Sequence, residues 1–115
     1  MREPIRDKGR LEHILEAISN IQKYTEGVLT KDELDNDPMR KHATIYNVQI
    51  IGEAIYKLSP EFKANHPNTP WRMIEKSRHI LVHDYYQVEM SILWSILTED
   101  ISPLKLQVLE YIKEL

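Results

Sequence analysis

Residues 37–58 read D-P-M-R-K-H-A-T-I-Y-N-V-Q-I-I-G-E-A-I-Y-K-L, and they decide the architecture. Asp37 followed by Pro38 is a helix N-cap plus a first-turn proline, a position whose N–H has no helical partner to lose. A long helix therefore opens here and runs to about Leu58. Its middle, V-Q-I-I-G-E-A-I, is apolar on several sides, which predicts a central place among packed helices. Gly52 costs a helix about 1 kcal/mol against alanine; close approach of a second helix is the expected reason for it.

Upstream, Leu11, Ile14, Leu15, Ile18, Ile21 and Val28 recur at steps of three, four or seven, an amphipathic helical stripe that Gly27 is placed to end. Thr30 followed by Glu33 is a capping-box pattern, so a short helical turn is expected over Lys31 to Asn36. Downstream, Ser59-Pro60 and N-H-P-N-T-P read as the one clear loop region. Thr69-Pro70 repeats the cap-plus-proline signal and starts a third helix at Trp71, whose stripe is Trp71, Ile74, Arg78, Leu81 and Tyr85. A fourth helix runs from about Val88 through Ile92, Trp94 and Ile96. Ser102-Pro103 breaks or restarts it, and Leu104, Val108, Leu109 and Ile112 form a last stripe. These elements predict an all-α, four- to five-helix antiparallel bundle in a single domain spanning residues 1–115.

Composition narrows the function classes. At 115 residues the chain can bury one modest core. It has no cysteine, which excludes a disulfide framework and a cysteine-rich zinc site and fits a reducing compartment. The first ten residues, M-R-E-P-I-R-D-K-G-R, are followed by no apolar run, and no stretch approaches the ~18 apolar residues of a membrane span. A cytoplasmic protein with no membrane association is expected. The net charge of −3 argues against a general nucleic-acid coat, but its distribution is uneven. Residues 38–87 carry +3, against −3 on each side. An anionic ligand, if there is one, belongs to that middle third.

The middle third contains S-R-H-I-L-V-H-D-Y-Y at residues 77–86, in which ionisable groups crowd around three apolar ones. Three readings compete. A polar helix end often carries histidine, favoured there by the helix dipole, with tyrosines half in the core. Glu75, His79 and His83 stand four apart on one helical face and could chelate zinc, with His13, His42 and His66 available elsewhere. The third reading is catalytic. Histidine titrates near neutrality and can move the proton of a 2′-hydroxyl or of a leaving 5′-oxygen, while arginine offers a planar fork to phosphate oxygens. Arg78 and His83 lie about 140° apart around an ideal helix. One copy supplies too few groups for both acid and base, whereas two copies across a two-fold axis supply two of each.

Arg78, four residues, His83, one residue, Tyr85 resembles the RxxxxHxY motif of HepT-type toxins in the HEPN superfamily. Three further segments resemble the same family in the same order: I-I-G-E-A-I-Y-K-L-S at 50–59, P-W-R-M-I at 70–74 and S-I-L-W-S-I-L-T-E-D-I-S-P-L at 91–104. The resemblance implies a homodimeric, metal-independent endoribonuclease with no cofactor, acting on an RNA such as tRNA or mRNA. Its implied partner is an MntA-like nucleotidyltransferase antitoxin that silences it by adding AMP to the motif tyrosine. Arg78 and His83 carry over as catalytic residues, Tyr85 as the modification site, and His79, Asp84 and Glu53 as supporting groups. His79 stands where the family often has asparagine, and Ser77 where methionine is common. An alternative stays open, in which the same motif serves a non-catalytic module that binds RNA or a nucleotide and docks a nucleotidyltransferase.

Overall fold

The computed structural model describes residues 6–76 and 89–115. Its helices are α1 (Asp7–Tyr24), α2 (Lys31–Asp35), α3 (Pro38–Lys57), α4 (Pro60–Asn65), α5 (helical over 71–76), α6 (Met90–Ser95) and α7 (Ile101–Glu114). A π-helical segment, Ile96–Asp100, joins α6 to α7. Among the described residues there is no strand, and the protein is all-α as the sequence predicts. No helix among them is long and apolar enough to cross a membrane.

The first stripe forms the middle of the bundle. Leu11, Ile14, Ala17, Ile18 and Ile21 are buried along α1, which packs against both α3 and α7. Each side chain of this size taken out of water contributes roughly 1.5–3 kcal/mol. α3 is buried on several sides, through Thr44, Ile45, Asn47, Val48, Ile51, Gly52, Ala54 and Ile55. Polar contacts fix the directions. Arg40 Nη1, at the start of α3, donates to the Glu26 carbonyl just past α1 (3.0 Å), and Ser59, just past α3, meets Asp7 at the start of α1. The two helices are therefore antiparallel. Lys105 Nζ donates to Gln22 Oε1 (3.3 Å), so α7 also runs antiparallel to α1. Inside the α1–α3 seam, Asn20 Nδ2 donates to Asn47 Oδ1 (3.2 Å) and Asn47 Nδ2 to the Ala43 carbonyl (2.8 Å). A buried amide pair of this kind is satisfied in one register only.

The caps mostly follow the sequence. Asp37 accepts from Arg40 N (3.2 Å) with Pro38 in the first turn, and α3 ends at Lys57. Thr30 accepts from Glu33 N (3.2 Å), but Glu33 reaches back to the Leu29 N–H (2.9 Å) rather than to that of Thr30. α1 stops at Tyr24, where Thr25 Oγ1 donates back to the Ile21 carbonyl (2.8 Å). Gly27 follows in the turn at φ 81°, a left-handed conformation that suits glycine, and Val28 packs from the loop instead of extending the helix.

Two expectations need correction. Ser59-Pro60 does not begin a loop. Ser59 Oγ accepts from Phe62 N (3.1 Å) and Pro60 takes the first turn, so this is the same cap-plus-proline start as at Asp37-Pro38. Of the two readings of Ser102-Pro103 the break is not found: α7 restarts at Ile101 straight from the π segment, with Pro103 in its first turn and no loop between. The buried positions run Leu93, Ile96, Ile101, Leu104, Val108, Tyr111, so one step of five interrupts steps of three and four. The wide π turn over Ile96–Asp100 absorbs the extra residue. It lies just ahead of Pro103, which has no N–H to donate to the Glu99 carbonyl four residues back. The stripe also includes Tyr111 in place of Leu109, which is 40% exposed.

Candidate functional site

The structure describes the approach to the motif. Arg78, His79, His83, Asp84 and Tyr85 all lie in 77–88, outside the described residues, and so do two of the three members of the candidate zinc face. The third, Glu75, is half-buried on α5. Glu53 is exposed on α3, one turn from Lys57 (3.8 Å), an ion pair in open solvent.

What holds the start of α5 is a knot of aromatic and polar side chains from three elements. Phe62 of α4, His66 just after it, Trp71 of α5 and Tyr111 of α7 put their rings together. Phe62 stacks on His66 at 4.2 Å between centroids and meets Tyr111 edge-on at 5.8 Å. His66 and Tyr111 are 4.3 Å apart, and Trp71 and Tyr111 5.9 Å. Each such pair adds about 0.5–1.5 kcal/mol beyond the area it buries. Trp71 Nε1 donates to the His66 carbonyl (3.0 Å).

Thr69, the expected N-cap of α5, is fully enclosed at 2% exposure. Its hydroxyl is turned to tertiary use, donating to Gln107 Oε1 (2.8 Å) and standing 2.6 Å from the Tyr111 hydroxyl, which is left to donate to it. Gln107 Nε2 in turn donates to the Asn68 carbonyl (3.3 Å). The N-H-P-N-T-P segment is thus fastened to α7 by a chain of satisfied hydrogen bonds.

His66 completes the fastening, with both ring nitrogens engaged by protein oxygens. Its Nδ1 lies 2.9 Å from the Phe62 carbonyl and its Nε2 lies 3.0 Å from Glu114 Oε2. Neither oxygen carries a proton, so both bonds are made only by the imidazolium. The hydrogen bond that His66 donates to Glu114 raises the pKa above the ordinary 6.5; burial opposes it, and the Phe62 carbonyl and the Glu114 charge add to the upward pull. The sequence showed His66 only as a spare candidate ligand. Tyr111, by contrast, could have been found, since it continues the spacing of Leu104 and Val108.

Beside this knot an open cleft of about 1040 Å³ lies between α4 and α5, lined by Lys63, Trp71, Arg72, Met73, Glu75 and Lys76 among others. Arg72 and Lys76 are exposed, one helical turn apart. Among the described residues no group of three or more histidines and carboxylates is gathered as a metal site.

The family model described as "Ribonuclease HepT-like" matches residues 14–111. The chain belongs to the HepT-like ribonuclease family. The HepT-like match runs from Ile14 of α1 to Tyr111 in the aromatic knot and contains the whole of 77–88. Among curated relatives, "Probable ribonuclease HepT" of Thermococcus cleftensis is 39% identical over 98 residues, 85% of this chain and 88% of the relative. A Methanocaldococcus jannaschii protein named as a "Gamma-glutamylcyclotransferase and putative RNase" is 35% identical over 105 residues, 91% of this chain. This chain spans about half, 47%, of that longer protein. A "Putative RNase" of Caldanaerobacter subterraneus subsp. tengcongensis is 33% identical over 104 residues, 90% of this chain and 92% of the relative. No solved structure matches the chain at comparable significance.

Proposed function

We propose that the protein is a metal-independent endoribonuclease, the toxin of a toxin–antitoxin pair, working as a homodimer. The observation that carries this reading is R-x-x-x-x-H-x-Y at 78–85, complete and inside the span matched by the HepT-like family. In the reaction, His83 of one copy takes the proton of a 2′-hydroxyl as its oxygen attacks the adjacent phosphorus. The bond from phosphorus to the 5′-oxygen breaks, and that oxygen receives a proton from His83 of the other copy. Arg78 binds the phosphate oxygens as charge builds on them. The products are a 2′,3′-cyclic phosphate and a free 5′-hydroxyl. His79, Asp84 and Glu53 remain supporting candidates. The residue-level chemistry favours turnover over a module that only binds RNA, because the motif's imidazole and guanidinium together provide proton transfer as well as charge.

Silencing follows from the same geometry of charge. A nucleotidyltransferase of the MntA type, using ATP and magnesium, adds AMP to Tyr85. Arg78 and Tyr85 are seven residues apart on one stripe, so the added phosphodiester occupies the arginine and the adenosine blocks the groove. The test is an RNA incubated with purified protein in EDTA. Cleavage is expected, and it should vanish in His83→Ala. Tyr85→Phe should cut like wild type but take up no AMP. Binding without cleavage would assign the motif to the non-catalytic module, and stoichiometric zinc on Glu75, His79 and His83 would restore the metal reading.

A further inference from the structure

The cleft between α4 and α5 holds more positive charge than the chain around it. Among the described residues, Lys63, Arg72 and Lys76 line it with Glu75 as the one carboxylate, in a protein of net charge −3. Four surface cations elsewhere pair with carboxylates, Arg40 with Asp37, Lys41 with Asp35, Lys57 with Glu53 and Lys113 with Glu110, while Lys8 and Lys23 stand apart on α1. Arg72 and Lys76 are exposed and make no side-chain hydrogen bond or ion pair among the described residues. Lys63 is different, since its ammonium donates to the Ile55 carbonyl (3.2 Å) and so also closes the end of α3.

We propose that Arg72 and Lys76, with Lys63 behind them, form the track that takes the phosphate backbone of single-stranded RNA to the motif. This rests on the ribonuclease reading and assigns residues to substrate binding outside R-x-x-x-x-H-x-Y. Two cations one helical turn apart stand about 6 Å from each other along the axis, a linear arrangement that suits successive phosphates of one strand. The cleft is open, so a strand can run through it, whereas a lone nucleotide is better held in an enclosed pocket. By sequence spacing, Arg72 and Lys76 precede His79 and His83 by seven residues each, the repeat of one helical face. An open cleft lined by one sign of charge raises the local concentration of its counter-ligand and speeds its arrival. Contacts of this type bind every sequence alike; base choice belongs elsewhere.

The experiment uses the full-length chain carrying His83→Ala, so that RNA is bound and not consumed, with a fluorescein-labelled single-stranded RNA followed by anisotropy over a salt series. Arg72→Ala/Lys76→Ala should weaken binding about tenfold or more at low salt. It should also flatten the slope of log affinity against log salt by about 1.4, near 0.7 for each phosphate of a single strand that is no longer neutralised. The charge-preserving Arg72→Lys/Lys76→Arg should keep the slope. Lys8→Ala/Lys23→Ala removes two exposed cations from α1 and should also leave it unchanged. Circular dichroism should be identical throughout. If wild type cuts RNA but the cleft variant binds with unchanged affinity and slope, the track is refuted and the ribonuclease reading stands. An equal loss in the α1 variant would also refute it, by making the effect one of net charge. Loss of nucleotidyltransferase docking with RNA binding intact would reassign the patch to the partner protein. Wild type that neither binds nor cuts any RNA would instead remove the ribonuclease reading itself.

Discussion

His66 is a histidine whose protonation is written into the packing. Its two ring nitrogens face the Phe62 carbonyl and the Glu114 carboxylate, and only the cation satisfies both. Because the folded pKa is raised above 6.5, the stabilisation is complete below that value and is lost as the pH climbs through the folded pKa. Wild type should therefore melt a few degrees lower at pH 9 than at pH 6, while His66→Gln should show little change between them. The Glu114 side chain is 62% exposed, so solvent screening holds the effect to about 1 kcal/mol or less. Thermal denaturation of both proteins over that range measures it, and a parallel decline in His66→Gln would place the titrating group elsewhere. None of this was visible in the sequence. The imidazole and the carboxylate come from positions 66 and 114, and one-dimensional spacing carries no information about a pair so far apart. The caps were legible for the opposite reason, since a side chain bonding an amide three residues on is local.

At the scale of the element, the π segment is the device that sequence periodicity handled worst. The signal was present in the step of five from Ile96 to Ile101, but a proline two residues later offered a simpler account, a break. Removing the exposed Thr98 from the wide turn would turn the buried positions from Leu93 to Tyr111 into regular alternating steps of three and four. An α-helix would then run straight through Pro103, at a cost of about 3 kcal/mol. Deletion of Thr98 combined with Pro103→Ala should thus keep native circular dichroism and melt within a few degrees of wild type. Deletion of the exposed Leu106 should abolish the cooperative transition, because it turns Val108 and Tyr111 by about 100° away from the core. If the two deletions behave alike, the π turn is not a register device. α4 was misread through composition: prolines at 60, 67 and 70 looked like a loop, although Ser59-Pro60 has the same form as Asp37-Pro38.

For the whole molecule, the proposed chemistry depends on assembly. A single chain of 13.6 kDa brings one histidine of the motif and one arginine, and the proposed reaction needs a second proton-transfer group. Sedimentation at micromolar concentration should therefore give about twice the chain mass. Mixing His83→Ala chains with Arg78→Ala chains should restore no more than a fraction of wild-type cleavage, since every mixed dimer still lacks one group of each kind. A monomer retaining full activity would defeat the two-copy mechanism. The bundle that presents the motif was legible because amphipathic spacing reports burial directly. The match of family and motif likewise came from residues in order along the chain.

The fastening of Asn68 and Thr69 to Gln107 and Tyr111, and of His66 to Glu114, joins positions 38 to 48 residues apart. α7 is made after residues 66–69, so these bonds close only once it has been added. The seam between α1 and α3 involves no residue of α7 and can pack first, so the approach to residues 77–88 is the part of the fold that is set late.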